Sequence, residues 1–267
     1  MLLLALGTAA VGAFGGLGGA VILVPVLVLT GMHPAEAAPL GLLSVAAGSL
    51  SAGPMQLAER TVHHRLGVTT ETAASAGAVA GALLSGAAGE VFLARFLAVV
   101  ALAAAAASGL RRDAVCEVVE RPPDIDLGET RGSLAGIYPV TAAEAVPYRA
   151  RRLPAGLAVM STAGVVAGVA GASGGFIKTP ATTEVMGVPI KVAASTTTFT
   201  VGITSAAALI VFAIHGRIEL HQAAPVIAGS LLGGRAGAHF QARFPSGAVR
   251  RTLAVVLVVV AGILFLK

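Results

Sequence analysis

Charge-free stretches alternate with short polar segments along most of this chain. Eight stretches contain no Asp, Glu, Lys or Arg and are rich in small and aliphatic residues: 1–35, 37–58, 72–89, 96–110, 153–177, 192–216, 220–234 and 252–266. Roughly 17–25 predominantly apolar residues are needed to cross a bilayer, and helices form there because the backbone must satisfy its own hydrogen bonds. The pattern predicts eight spans near residues 2–29, 36–57, 68–88, 91–110, 154–176, 191–213, 222–241 and 249–266.

The composition supports a membrane location. Of the 267 residues, 56% are hydrophobic and 12% are charged, whereas a soluble domain is about a quarter charged. The mean hydropathy is +0.87 and the isoelectric point is 10.1. Because the basic residues are spread over loops and aromatic residues make up only 4%, the charge indicates cytoplasmic loops and excludes a nucleic-acid surface. We expect a multi-pass protein of the cell (plasma) membrane with both termini in the cytoplasm.

Residues 111–152 interrupt the apolar pattern. They contain seven acidic residues, seven arginines and four prolines. This composition predicts a solvated, partly disordered polar linker between two halves of the chain. The single cysteine, Cys116, lies in this segment and excludes a disulfide within the chain.

The two halves resemble each other. A shift of 155 residues aligns glycine with glycine and proline with proline: Gly16 with Gly171, Gly19 with Gly174, Pro25 with Pro180 and Pro34 with Pro189. Matching helix breaks in two halves indicate a transporter whose site lies where the repeats meet. The predicted fold is an all-α integral membrane protein with a first repeat at 1–110 and a second at 153–267. Each repeat has four spans and a broken or re-entrant helix at its glycine cluster.

The glycine clusters suit an anion. A helix that restarts after a break presents free N–H groups and a partial positive charge of about half an electron, which attracts anions. The alternative is that the glycines only let helices pack closely. The predicted binding residues at the breaks are Gly18, Gly19, Ala20, Ser173, Gly174 and Gly175.

These motifs resemble those of the TauE/SafE family, the sulfite exporters. The second half carries GASGGFIKTP (171–180) and GVPIKVAASTTT (187–198), and the first half carries GGLGGAVILVP (15–25) and GMHPAEAAPLG (31–41). The resemblance implies a permease, not an enzyme, that exports sulfite, sulfoacetate or a related small sulfur anion. Alternating access is the mechanism expected of such repeats. A permease of the same fold for another small anion is the alternative.

Four polar residues complete the predicted substrate site. Lys178 either neutralises an oxyanion or snorkels to an interface. The guanidinium of Arg235 either binds the anion, pairs with Glu184 or reaches the surface. Ser195 and Thr196 offer hydroxyls to the anion or bond their own helix backbone.

Other chemistries have weaker signals. No spacing of His and Cys predicts a metal site, no GxxxxGK[ST] motif is present, and no cofactor is expected. GASG at 171–174 resembles the serine motif of rhomboid proteases, with His215 or His239 as the base. His33 and Glu36 are either proton carriers or solvated loop residues. The coupling ion, protons included, and a homo-oligomeric state are left open.

Overall fold

The computed structural model describes residues 1–15, 18–58, 60–110, 119–120, 127–139 and 144–241, together with Val258 and Gly262. The described part is mostly helical. Its α-helices are α1 (Leu2–Gly15), α2 (Ala20–Leu29), α3 (Pro34–Ala58), α4 (His64–Ala87), α5 (Glu90–Leu110), α6 (Leu153–Ala170), α7 (Gly175–Pro180), α8 (Ile190–Ile214) and α9 (Leu220–Gln241). A π-helical turn, Ala181–Val185, continues α7. The predicted span at 249–266 lies outside the described residues except for Val258 and Gly262.

Two predicted spans are each divided into two helices at a glycine cluster. The span predicted at 2–29 consists of α1 and α2, and the span predicted at 154–176 is α6 with the start of α7. Gly171 ends α6 in the left-handed conformation, with φ of 63°, which glycine adopts without steric cost. Both interruptions fall at the glycine clusters where the sequence predicted broken helices.

Small residues bring helices from opposite halves of the chain into close contact. Helix α1 packs along α9, and α6 packs along α4. A methyl group added to Gly81 would collide with the backbone of Val165 in α6, and one added to Gly233 would collide with the backbone of Leu6 in α1. These glycines serve close helix packing, as small residues do in membrane helices.

Some of the described helices have the length and surface of membrane spans. Three of the described helices are both long and apolar enough to cross a bilayer: α3, α6 and α8. Large apolar side chains are exposed on the outside of the bundle, among them Leu50, Ile210 and Ile214. Exposed apolar side chains of this size are expected where a helix faces lipid instead of water. The described fold is that of a mostly helical membrane protein.

The segment predicted as a polar linker contains strands that the sequence analysis did not anticipate. An antiparallel sheet is formed, in the order β1-β4-β3-β2, by β1 (Val119–Glu120), β2 (Gly128–Glu129), β3 (Ala135–Pro139) and β4 (Glu144–Arg149). Pro139 and Pro147 lie within strands, with Pro147 opposite Ile137. Because proline removes a ladder hydrogen bond, it argues against a strand in a sequence.

The sheet docks on the helical bundle at the start of α4. Tyr148 of β4 belongs to an apolar cluster with Leu66 and Met186. The ring of His63, which caps α4, lies 5.9 Å from the ring of Tyr148, and its Nδ1 lies 3.1 Å from Glu129 Oε2. Burial lowers the pKa of His63, and the Glu129 carboxylate opposes that shift in part.

Candidate functional site

The two glycine breaks meet inside the bundle. Gly18 has a φ of 77° and lies directly against Ser173, because a methyl group added to Gly18 would collide with Ser173 Oγ and Cβ. Gly171 is equally tight against α3, where an added methyl group would collide with the backbone of Ala38. Segments 155 residues apart in sequence are therefore in van der Waals contact at their helix interruptions.

A small cavity lies beside the first break. Its volume is about 20 Å³, which is enough for roughly one water molecule. The lining comes from α1, the first break, α3 and α8: Ala9, Gly12, Ala13, Gly18, Gly19, Ser44, Val45, Gly48, Ser49, Thr197, Thr198 and Val201. The lining therefore includes four hydroxyl groups and no charged side chain.

The wall of this cavity adjoins the start of a helix. Helix α2 begins at Ala20, so its N-terminal amides and their partial positive charge adjoin Gly18 and Gly19 in the cavity wall. The hydroxyl of Ser49 donates to the Thr198 carbonyl across a distance of 2.7 Å and so holds α3 against α8. The side chains of Thr197 and Thr198 add hydroxyl donors from α8. An anion here would be bound by dipoles and hydrogen bonds, without a formal positive charge in the wall.

The structure brings only part of the predicted glycine site to the cavity. Gly18 and Gly19 line it, and Ala20 is the buried residue that follows. Ser173 is buried against Gly18, and its Oγ accepts a hydrogen bond from the Gly175 amide at 3.1 Å. Gly174 faces α6, where an added methyl group would lie 2.9 Å from the Ala163 carbonyl oxygen. Some amide groups of the second break are thus bonded within the break itself.

The predicted residues on α8 and α9 lie away from the cavity. Thr196 Oγ1 accepts a hydrogen bond from the His63 amide at 2.9 Å, so it faces the start of α4. Ser195 is buried but does not line the cavity. The side chain of Arg235 is on the exposed face of α9. The threonines that do line the cavity, Thr197 and Thr198, come directly after the predicted pair.

Lys178 does not snorkel to an interface, because it is buried beside a carboxylate. Its side chain is 2% exposed, and its Nζ lies 2.8 Å from Glu71 Oε2 in an ion pair between α7 and α4. The Thr204 hydroxyl of α8 accepts a hydrogen bond from the Lys178 ammonium and donates one to the Glu71 carboxylate. Glu71 is not among the residues predicted for the site. The signal was available, because Glu71 is an acidic residue inside the predicted span 68–88, where a charge is costly and commonly functional.

The geometry disfavours the protease alternative. Ser173 is buried in contact with Gly18, whereas His215 and His239 are on exposed surface. The ring Nδ1 of His215 is 2.7 Å from the Val211 carbonyl, and His239 contacts the ring of Phe240. Among the described residues, no group of three His, Cys, Asp or Glu side chains is arranged to hold a metal ion.

A bundle of apolar helices with two interrupted spans that touch at their breaks is typical of a helical membrane permease. The family model described as "Sulfite exporter TauE/SafE" matches residues 1–264, which is essentially the whole chain. The chain belongs to this family, whose members are membrane transporters of sulfite and related anions and not enzymes. The resemblance drawn from the glycine motifs is confirmed. No curated protein and no solved structure matches the chain.

Proposed function

We propose that this protein is a secondary transporter that exports sulfite, sulfoacetate or a related small sulfur anion across the cell membrane. The observation that carries the proposal is the contact between Gly18 and Ser173 beside a small cavity whose lining includes four hydroxyl residues. The anion would be held near the N-terminus of α2, between the Gly18–Gly19 backbone and the hydroxyls of Thr197 and Thr198. Membership of the sulfite exporter family supports the chemical class of the substrate.

We further propose that the helices form two repeats, each with a re-entrant or broken span. Helix α2 has 10 residues, so at 1.5 Å per residue it covers about half of a bilayer core roughly 30 Å thick. Helix α7 and the π-helical turn that follows it have 6 and 5 residues and are similarly short. Helix α1 of the first half packs on α9 of the second half, and α6 of the second half packs on α4 of the first half. These contacts support a reciprocal arrangement of the two halves.

Alternating access would open and close the cavity. At about 20 Å³ it accommodates a water molecule and is too small for sulfite, which has a sulfur and three oxygens. The proposed transport step separates Gly18 from Ser173 and so widens the space between the breaks. Rocking of one repeat against the other is the motion expected for such folds.

Counterflow of labelled sulfite into proteoliposomes tests this function. The vesicles are preloaded in turn with sulfite, sulfate, thiosulfate, sulfoacetate or acetate, and uptake of label is compared. We expect sulfite and sulfoacetate to drive uptake. Thr197→Val with Thr198→Val should weaken the apparent affinity, because the lost hydroxyls line the cavity. Thr162→Val, which removes an exposed hydroxyl on α6, is the matched control and should leave it unchanged.

The same experiment addresses a permease for a different anion. Counterflow driven only by acetate, or only by sulfate, would replace the sulfur assignment with that anion while keeping the site. Absence of flux for every anion tested would refute the transporter proposal. Normal affinity in the double threonine variant would place the substrate elsewhere in the chain.

A further inference from the structure

A buried ion pair joins Glu71 and Lys178 within the described part of the helical bundle. The side chains of Glu71 and Lys178 are 5% and 2% exposed, and they join α4 to α7. Ser75 Oγ donates to Glu71 Oε1 at 3.3 Å, and the Thr204 hydroxyl bonds both charged groups. Helix α6, which packs on α4, has no charged residue, and the charged residue of α8 is Lys191 at its exposed start. Each charge is therefore neutralised by the other.

The pair is connected to the proposed anion cavity by two elements. On α8, Thr197, Val201 and Thr204 are spaced by four and three residues and so lie on one face of the helix. Thr197 and Val201 line the cavity, and Thr204 reaches the ion pair about one helical turn further on. On the other side, Lys178 follows the break whose Ser173 touches Gly18. A change at the ion pair is thus positioned to act on both walls of the cavity.

Electroneutrality limits what this buried pair can do. A lone charge at membrane depth is costly, so charged groups there stay paired. An anion can take the place of the Glu71 carboxylate beside Lys178 only if that carboxylate becomes neutral. Protonation achieves this, because a carboxylic acid, an ammonium and a singly charged anion together carry the same net charge as the original ion pair.

We propose that Glu71 is the proton-coupling residue of this transporter and that Lys178 is the cation released to the anion when Glu71 is protonated. This inference rests on the proposed function. A hydronium ion on one side of the membrane gives its proton to Glu71, and the anion from that side, held first in the cavity, then moves to pair with Lys178. After the conformational change the anion leaves, and Glu71 returns the proton to water on the same side as the anion. One proton and one singly charged anion move together, so export occurs when the outward gradient of the anion exceeds the opposing gradient of protons.

Accumulation in proteoliposomes tests the coupling. The probes are labelled sulfite and methanesulfonate, and the second has no proton to lose near neutral pH. For wild type, an interior one pH unit more alkaline than the exterior should accumulate methanesulfonate about tenfold, since one proton accompanies each anion. A membrane potential at equal pH should not drive accumulation, because the cycle carries no net charge.

Glu71→Gln should uncouple transport without abolishing counterflow. In this variant the pH gradient should no longer concentrate methanesulfonate, and an inside-positive potential of about 59 mV should concentrate it about tenfold, as for one net charge. Glu184→Gln removes an exposed carboxylate in the segment after Lys178 and should keep the wild-type coupling. If the single variant does not fold because Lys178 loses its partner, Glu71→Gln with Lys178→Met removes both charges and should still lose the response to pH.

The outcomes separate the two proposals. Sulfite counterflow by wild type with no response of either probe to the pH gradient would overturn proton coupling and leave the transporter proposal intact. A pH-driven accumulation that persists in Glu71→Gln, or in the double variant, would overturn the role of Glu71. Absence of anion flux in wild type would overturn both proposals.

Discussion

Gly18→Ala is the most direct test of the contact between the two helix breaks. Gly18 adopts a φ of 77°, and a residue with a side chain pays about 1–3 kcal/mol for such a left-handed conformation. The added methyl group would also collide with Ser173, and overpacking of a buried site costs about 1–3 kcal/mol. We expect Gly18→Ala to lower the free energy of unfolding by about 2–6 kcal/mol.

A matched control separates the two costs. Gly31, in the loop between α2 and α3, has a φ of 99° and open space where a side chain would be added. Gly31→Ala should therefore show only the backbone cost of about 1–3 kcal/mol. Ser173→Gly removes the side chain that the added methyl group would meet, so it should relieve the steric cost of Gly18→Ala, about 1–3 kcal/mol. A double-mutant cycle should measure this relief as a coupling energy between positions 18 and 173.

The measurement is a reversible denaturation titration of each variant in mixed micelles. Equal losses in Gly18→Ala and Gly31→Ala, together with a coupling energy near zero between positions 18 and 173, would show that the two breaks do not touch. The shared cavity would then lose its structural basis.

Three further predictions concern residues outside the breaks. Arg235→Ala should leave the affinity for sulfite unchanged in counterflow, because the side chain is exposed; a weaker affinity would return Arg235 to the site. Burial lowers the pKa of His63, so below about pH 6.5 the unfolded state binds more protons than the folded state. The contribution of His63 to the free energy of unfolding should therefore be fully present above about pH 6.5 and decrease as the pH falls toward the lowered pKa. Thermal unfolding against pH should show this dependence in wild type and in His64→Gln but not in His63→Gln. Arg217 donates hydrogen bonds to Ser85 Oγ and to the Ala35 carbonyl, at 3.1 Å each. Arg217→Ala should therefore lower the free energy of unfolding by about 1–3 kcal/mol in the same micelle titration. An unchanged free energy of unfolding would show that these bonds do not stabilise the fold.

Local sequence was sufficient to predict the helices and the position of their breaks. Hydropathy over windows of bilayer length predicts a span wherever charges are absent. Glycine and proline weaken a helix through their own backbone properties. The interruption between Gly15 and Ala20 and that between Ala170 and Gly175 therefore follow from residues at those places. The resemblance to the sulfite exporter family, drawn from motifs at these places, agrees with the family match over residues 1–264.

The rotation of α8 about its axis explains why Thr197 and Thr198 line the cavity instead of the predicted pair, Ser195 and Thr196. Consecutive residues of an α-helix differ by about 100° around its axis, so a pair only two residues earlier on α8 faces a different neighbour. Thr196 consequently meets the His63 amide, whereas Thr197 and Thr198 reach the cavity. A run of four hydroxyl residues does not reveal its own rotation, because that rotation is fixed by the helices packed around it.

By itself the sequence determined which of the described segments form apolar helices and where two spans are interrupted, since these properties depend on residues close together in the chain. Only the tertiary structure decided that Gly18 lies against Ser173 and that Lys178 is paired with Glu71, 107 residues away. The sheet in the polar segment was also decided there, through contacts such as that of Tyr148 with His63. These pairings depend on distances and orientations between packed elements, which a one-dimensional pattern of polarity does not specify.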